Sequence, residues 1–451
     1  MIVTLVAFSA YPVGVVSYWA TRDVARGKMV GRTALAAGGL MSSLGLVLYF
    51  AFTLVTYPRI NASVLPFLLG ALLVPLSYWS AVANSLVGGF RPGVYGYSLV
   101  ISEVAKLLAA YEALYVYRLG INGVIIALMA AYLVQSLVST YFVRLTATEK
   151  FDFAQTRRWS RLAWLPLLSY LPSVLAVADT VVVAVAFGPA IVGYYQVAFI
   201  LASVVGYSSA LAFSLYPMLL RGGGERLPSV TVEFSLFFGL PMTVGCFVLA
   251  GPLLFLFGTK YLPGAIGLAI MAPMFVLATI SWIIDQTLLG TEKADVGERP
   301  SFAKLLRSNL LFVPVVNIVY AVSYLVLMFA VLSYSFSAGL SISTSVGYWA
   351  AVQLVATLAF MLVKARRVKH HAKIMPGISV AYYVLAAAAM GGVVYLLSGA
   401  VVQQGLGTIL YGIRLVGVVA VGAAVYFGIV YALDSRFRDL ACSLLGRLKR
   451  F

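Results

Sequence analysis

Hydrophobic and polar positions alternate on a long scale in this chain, with apolar stretches separated by short polar gaps. A helix needs about twenty residues to cross the ~30 Å apolar core of a bilayer, so each stretch of that length predicts a membrane-spanning helix. The stretches cover residues 1–21, 33–56, 64–87, 96–118, 122–143, 163–187, 192–220, 230–257, 264–289, 310–334, 345–363, 377–398 and 410–433. The pattern predicts an all-α polytopic membrane protein with about 13 spans.

Positive charge is concentrated in every second gap between the predicted spans. If the gap after the first span is cytoplasmic, the inner gaps and the C-terminal tail hold 26 of the 31 Lys and Arg residues. Cytoplasmic loops carry such an excess. We therefore predict a protein of the cell membrane with its N-terminus outside and its C-terminus in the cytoplasm. The net charge of +17 then reflects topology and contact with anionic lipid, and we expect no binding of nucleic acid.

The composition also limits the classes of function. Hydrophobic residues make up 62% of the chain and charged residues 10%, which excludes a water-soluble domain. The gaps between spans are too short for a catalytic domain outside the membrane. No metal-ligand, phosphate-loop or nucleophile–base spacing is present. We expect a protein that is not an enzyme and has no resident cofactor or metal.

Two halves of the chain resemble each other in collinear order, six predicted spans apart. Such a parallel repeat is typical of two-lobed transporters. The matching segments are 39–45 and 239–245, 84–88 and 286–290, and 135–142 and 353–360.

The repeat predicts five helices in the first copy and six in the second. The helix that the first copy lacks would precede residue 1, and we favour a misplaced start site over a true absence. We predict an N-terminal lobe at 1–145, a C-terminal lobe at 160–363, an additional helix pair at 377–433 and a basic cytoplasmic tail at 434–451.

A series of short segments follows a distinctive order. The sixth predicted span carries Asp179, and the next one begins with the sequence GPAIVGYYQVA. The segments of the series are 120–124, 165–179, 188–198, 216–217, 252–261 and 289–290. The series resembles the signature of the polysaccharide exporters, which belong to the multidrug/oligosaccharidyl-lipid/polysaccharide exporter superfamily. In that family an aspartate of the seventh helix precedes a glycine- and tyrosine-containing start of the eighth.

The resemblance covers about residues 5 to 435 and implies a fold and a function. The family has two six-helix lobes, often with an added helix pair, which 377–433 would form. It implies that the protein flips a polyprenyl-phosphate-linked oligosaccharide from the cytoplasmic to the outer leaflet, for surface polysaccharide or glycoprotein synthesis. The two lobes would rock about a central cavity, without ATP and with possible coupling to H⁺ or Na⁺.

Four charged residues are predicted to lie deep in the spans. Glu103, Lys106 and Glu112 are on the fourth span, and Asp179 is near the middle of the sixth. A charge at mid-bilayer costs at least ~2.5–3.5 kcal/mol on insertion scales, so each residue needs water or a partner. Glu103 and Lys106 are spaced to pair on one helix face, whereas Glu112 lies about half a turn round from Glu103. Asp179 needs a neighbour from another helix.

Three further charges, Glu233, Asp285 and Arg414, lie near the ends of their spans. Side chains in such positions usually extend to the membrane surface, and we expect the same of these three.

The candidate cavity residues share a polar or aromatic side chain at a predicted span or its inner end. Lys106 and Arg22 are candidates to hold the phosphate, and acidic residues are candidates to carry a coupling cation. Tyr111 and Tyr115 are candidates to stack on sugar rings. The full set is Asp179, Glu103, Lys106, Glu112, Arg22, Asn84, Tyr111 and Tyr115.

Three functions remain open at this point. The first is the flippase, with a lipid-linked glycan and membrane lipids as partners, acting as a monomer. The second is a cation-coupled exporter of drugs or metabolites from the same superfamily. The third is a membrane-embedded glycan ligase or polymerase, which the short outer gaps argue against.

Overall fold

A computed structural model describes residues 2–57, 63–144, 149–295, 302–369, 374, 377–401, 407–435 and 437–438. The described part of the chain is almost entirely helical and contains no strand. Its helices, in chain order, are α1 (Ile2–Ala10), α2 (Val13–Ala25), α3 (Gly31–Thr56), α4 (Leu65–Phe90), α5 (Pro92–Ala110), α6 (Ile121–Val143), α7 (Phe153–Arg161), α8 (Trp164–Phe187), α9 (Pro189–Ser203), α10 (Leu215–Leu220), α11 (Leu227–Val248), α12 (Ala250–Phe255), α13 (Ala265–Gly290), α14 (Phe302–Leu306), α15 (Asn309–Ser337), α16 (Ile342–Val368), α17 (Ser379–Val401) and α18 (Thr408–Leu433).

Eleven helical segments of the described chain are long and apolar enough to cross a membrane. They correspond to eleven of the predicted spans, and the predicted fold class is confirmed. The other two predicted spans are also helical but less regular. The first is divided into α1 and α2 next to Pro12, which lacks the backbone N–H needed to continue the hydrogen bonds of α1 and stands at the start of α2. The other contains α5, which carries Glu103 and Lys106, and continues as a π-helical turn over Tyr111–Val116.

Tertiary contacts divide the chain into two compact units. Unit 1 contains residues 1–171, 216–223 and 290–314, and unit 2 contains 172–215, 224–289 and 315–451. Helices α8 and α15 each pass from one unit to the other next to an internal proline, Pro172 and Pro314. This division does not test the two lobes predicted from the internal repeat, and those lobes stay a prediction.

Helix α4 is central to unit 1. It packs against α1, α2, α3, α5 and α6, and its residues Leu86 and Val87 are fully buried. Close approach to α2 depends on Gly89, where an added Cβ atom would lie 2.9 Å from the backbone oxygen of Thr21. Small residues allow such backbone approach between membrane helices.

Helix α7 is short and amphipathic and packs against α2 and α3. Asp152 caps its N-terminus by accepting hydrogen bonds from the backbone N–H groups of Ala154 (2.8 Å) and Gln155 (3.1 Å). Trp159 is buried on its inner face.

Unit 2 has a core to which α9, α13, α15 and α16 contribute. Tyr195, Met271, Met328 and Trp349 are among its fully buried members. The ring of Tyr195 stacks on Trp349 with centroids 3.6 Å apart and planes inclined by 11°. The Tyr195 hydroxyl and the Trp349 indole N–H bring polar atoms into this core.

The additional helix pair α17–α18 belongs to unit 2. The two helices pack against each other, and α17 also packs against α11. Phe237 of α11 lies among Tyr383, Tyr426 and other buried side chains of the pair.

Candidate functional site

Asp179 occupies a buried position in α8, within unit 2. Only 6% of the residue is exposed. The Tyr324 hydroxyl donates to its Oδ2 atom (2.8 Å), and the backbone N–H of Thr180 donates to its Oδ1 atom (2.5 Å). The neighbour that the sequence required from another helix is therefore a phenol of α15. Among the described residues, no Lys or Arg forms an ion pair with Asp179.

Hydrogen bonds and ring stacking extend from Asp179 into the core of unit 2. The indole N–H of Trp349 donates to the Tyr324 hydroxyl (2.8 Å). Tyr195, stacked on Trp349, donates from its own hydroxyl to the Oε1 atom of Gln353 (2.7 Å). The network orients the carboxylate of Asp179 but contributes no positive charge to it. The predicted role of Asp179 as a carrier of a coupling cation stays a prediction.

A cavity of about 240 Å³ lies beside this network in unit 2. Its charged members are Lys364 and Asp285, whose Nζ and Oδ2 atoms are 2.7 Å apart. Lys364 also donates to the hydroxyl of Ser281 (3.0 Å), and the Asn317 amide donates to Asp285 Oδ2 (3.2 Å). The Lys364 side chain is 4% exposed and that of Asp285 10%, so this is a buried ion pair between α13 and α16.

The sequence did not predict this ion pair. We expected Asp285 to extend to the membrane surface, and instead its side chain is buried against Lys364. The sequence placed Lys364 in an inner gap between spans. In the structure α16 extends to Val368, so Lys364 lies within that helix. No sequence signal paired the two residues, because hydropathy does not indicate which helices meet.

The candidate residues of the fourth span lie on the exposed surface of unit 1. Lys106 and Glu103 form an ion pair on α5, with side chains 33% and 54% exposed, as their spacing predicted. Glu112 is exposed in the π-helical turn. Tyr111 and Tyr115 are 60% and 72% exposed and stack on each other, with ring centroids 5.3 Å apart. Their assignment to a substrate cavity stays a prediction.

Asn84 belongs to a polar network between α4 and α6. The Ser139 hydroxyl donates to its Oδ1 atom (2.7 Å), and its amide donates to the Ser80 hydroxyl (3.2 Å). Ser80 in turn donates to Gln135 Oε1 (3.0 Å). Polar groups inside a membrane protein are expected to satisfy one another in this way, so the network has a structural role whether or not Asn84 meets substrate.

Arg22 lies at the end of α2 in a cluster of buried charges within unit 1. Its Nε and Nη2 atoms donate to the two carboxylate oxygens of Asp295 (3.0 and 2.7 Å). Its Nη1 atom donates to the Tyr216 hydroxyl (3.0 Å). Arg26 binds the same carboxylate through both terminal nitrogens (2.7 and 3.0 Å). Arg22 and Asp295 are both fully buried, so the predicted contact of Arg22 with phosphate requires this cluster to open.

A second carboxylate extends the cluster to α7. Asp23 accepts hydrogen bonds from Trp159 Nε1 (2.9 Å), from Arg158 Nη1 (3.1 Å) and from the side chain of Gln155. Arg158 also donates to the backbone oxygen of Asp295 (3.0 Å). The cluster thus connects α2, α7 and the segment that follows α13.

The Asp295 carboxylate should remain ionised at every physiological pH. Burial alone would raise its pKa, but the hydrogen bonds and charges of Arg26 and Arg22 outweigh burial and lower the pKa to about 2. The carboxylate of an unfolded chain titrates near ~3.9. Because the folded pKa is the lower one, the ion pair contributes stability above about pH 4 and loses it as the pH falls towards 2.

This predicts the pH dependence of an Asp295→Asn variant. The difference in unfolding temperature between wild type and variant should be constant from pH 5 to 8 and should shrink below about pH 4. Thermal unfolding of both proteins in the same detergent measures it. A difference that changes between pH 5 and 8 would show that Asp295 is not held by the two arginines.

The chain resembles known proteins in its fold. No protein-family model and no curated protein sequence matches the chain. Solved structures do match. A MATE structure in the bent conformation is 14% identical and matches 82% of this chain and 85% of its own, with a TM-score of 0.59. The lipid II flippase MurJ in an inward closed conformation is 13% identical and matches 97% of this chain and 94% of its own, with a TM-score of 0.52.

The Vibrio cholerae MATE transporter VcmN in the bent form is 17% identical, with coverage of 82% and 87% and a TM-score of 0.54. The chain therefore has the fold shared by these MATE structures and the lipid II flippase.

Proposed function

We propose that this protein flips a polyprenyl-phosphate-linked oligosaccharide from the cytoplasmic to the outer leaflet of the cell membrane. The observation that carries the proposal is the extent of the fold likeness. The likeness to the lipid II flippase covers 97% of the chain and therefore takes in the pair α17–α18, whereas those to the MATE structures named above cover 82%. The polysaccharide-exporter signature in the sequence supports the same substrate class.

Transport would proceed by alternating access, in which the substrate site opens first to one side of the membrane and then to the other. ATP is not required, because outward movement of an anionic headgroup is favoured by ~2.3 kcal/mol per charge per 100 mV of inside-negative potential. Asp179 would carry a coupling cation, H⁺ or Na⁺. Its burial without a cationic partner in the described chain supports that role.

The test of this proposal is the lipid-linked glycan pool of cells that lack the gene. We expect the carrier-bound glycan to accumulate in the cytoplasmic leaflet while the corresponding surface glycan disappears, and the accumulated species would identify the substrate. Reintroduction of the wild-type gene should restore both. An unchanged pool and an unchanged surface, in cells without a redundant flippase, would overturn the proposal.

The alternative is a cation-coupled exporter of drugs or metabolites. It is supported by the TM-scores, which are 0.59 and 0.54 for two MATE structures and 0.52 for the lipid II flippase. Extrusion of cationic dyes from vesicles containing the purified protein, abolished by dissipating the ion gradient, would favour it over the flippase.

A further inference from the structure

We infer that the cavity of unit 2 beside Asp285 and Lys364 binds one sugar ring. This inference rests on the proposed function, because it assigns the sugar of the lipid-linked substrate to a place in the fold. Its members come from α9, α13, α15 and α16, all within unit 2. Four properties of the cavity support the inference: its size, its aromatic lining residues, its charge balance and its free polar groups.

The size fits a single ring. Cavities that hold drug-sized ligands have roughly 300–1,000 Å³, and this one has about 240 Å³. The volume corresponds to about eight waters at ~30 Å³ each. A monosaccharide unit is therefore the right scale.

Part of the cavity lining is aromatic. Phe199, Phe275, Trp282 and Phe360 all contribute to its lining. The C–H groups on one face of a pyranose ring form an apolar surface, which packs well on the flat face of an aromatic side chain. These aromatic side chains would pack on the apolar face of the sugar, and its hydroxyl groups would bond to the polar residues of the lining.

The polar part of the lining is electrically balanced. The positive charge of Lys364 and the negative charge of Asp285 lie 2.7 Å apart. The two opposite charges largely cancel, so the pair offers no net charge that would attract a metal cation or a phosphate. The pair therefore favours a neutral ligand that can both donate and accept hydrogen bonds, as a sugar hydroxyl does.

Several polar residues of the lining can form further hydrogen bonds. The Gln353 side chain accepts from Tyr195 through Oε1, and its amide nitrogen has no partner within the described chain. Asn317 donates to Asp285, and its own carbonyl oxygen is without a donor among the described residues. Lys364 uses two of its three N–H groups, towards Asp285 and Ser281. Two donors and an acceptor are thus available to a ligand.

The position of the cavity is suited to the proposed transport. Asp285 lies five residues before the end of α13 and Lys364 four residues before the end of α16. At ~1.5 Å per residue, both are less than about 10 Å from helix ends that the predicted topology places on the cytoplasmic side. Gln353 also links the cavity to Asp179 through Tyr195, Trp349 and Tyr324. Sugar binding and cation binding would therefore share side chains.

The inference is tested by titrating methyl glucoside, methyl galactoside and N-acetylglucosamine, each alone, into the full-length protein. Lipid nanodiscs are the right environment, because maltoside and glucoside detergents themselves carry sugars. At least one sugar should give a saturable change in tryptophan fluorescence with half-saturation in the millimolar range. The change should be lost in Trp282→Phe and kept in Trp79→Phe, since Trp79 lies in unit 1 and bonds to Thr140.

A matched pair of variants separates the cavity from the rest of the surface. Asn317→Leu should raise the half-saturating concentration by about fivefold or more, as expected for a lost hydrogen bond. Asn122→Leu, a change of the same kind in unit 1, should leave it unchanged. The double variant Asp285→Leu with Lys364→Met removes the buried pair without leaving one charge alone, and it should abolish binding while the protein stays folded.

Two results would overturn the inference. The first is the absence of any saturable change at 100 mM sugar, ~100 times the expected millimolar constant, in a protein that is folded. The second is a Trp282 signal produced by millimolar Na⁺ and by none of the sugars, which would make the cavity a cation site. Either result leaves the flippase proposal standing if the glycan pool of the deletion strain accumulates as expected.

Discussion

An Asp179→Asn variant is expected to lose at least nine-tenths of its transport activity while it inserts and folds like the wild type. Asparagine has nearly the same shape and still accepts the N–H of Thr180, so the local structure should persist. The variant lacks the negative charge that would attract a coupling cation to this buried position. Restoration of the surface glycan in a deletion strain measures the activity, and protein abundance in the membrane measures folding.

Two other aspartates provide controls for this prediction. Asp152 caps α7 from an exposed position, and asparagine is an equally good cap, so Asp152→Asn should transport normally. Asp285→Asn should instead destabilise the folded protein. It leaves Lys364 buried without its counter-charge, which typically costs about 3–5 kcal/mol. Normal transport by a well-expressed Asp179→Asn protein would remove Asp179 from the mechanism.

The Tyr324 hydroxyl provides a finer measurement at the same site. Tyr324→Phe keeps the carboxylate of Asp179 and removes its only side-chain donor within the described chain. We expect transport to continue with an altered dependence on pH or Na⁺, since the cation would then be held by the carboxylate alone. Unaltered dependence on both ions would separate this tyrosine from cation binding.

The fold was predictable from the sequence because membrane helices are selected by hydropathy over about twenty residues, a strong and local signal. The two irregular spans differ for local reasons that are also visible in the sequence. Pro12 interrupts the first, and Glu103 with Lys106 lowers the hydropathy of the other. The exposed Glu103–Lys106 pair was predictable as well, since its two members are three residues apart on one helix.

The buried contacts of the candidate site were much less predictable. Asp179 was identifiable as a carboxylate without a cation in its own helical turn, but its partner Tyr324 lies 145 residues away. The Asp285–Lys364 and Arg22–Asp295 pairs span 79 and 273 residues. Hydropathy and spacing along one helix contain no information on which helices meet. Partners of this kind follow only from the packing.

The Arg22–Asp295 ion pair should have the largest effect on stability. Removal of one member of a buried pair typically costs about 3–5 kcal/mol, because the other charge remains buried without compensation. We expect a loss of that size for Asp295→Leu, since it leaves both Arg22 and Arg26 without their shared carboxylate. Arg22→Met should cost less, because Arg26 still binds the Asp295 carboxylate through both terminal nitrogens. Equilibrium unfolding in mixed micelles of a mild detergent and SDS measures the free energy of each variant.

The double variant Arg22→Met with Asp295→Leu separates the pair from its surroundings. It should be less destabilised than the sum of the two single variants, by about 0.5–3 kcal/mol, because the loss of Asp295 no longer leaves Arg22 buried without its carboxylate. The exposed Glu103–Lys106 pair is the matched control, and its cycle should give about 0.5 kcal/mol or less. Strict additivity at Arg22 and Asp295 would mean that the two side chains do not interact, and that Arg26 alone balances the carboxylate. A large coupling would establish that the C-terminal end of α2 is held to the segment after α13 by charge. In that case the pair must dissociate before Arg22 can meet a phosphate.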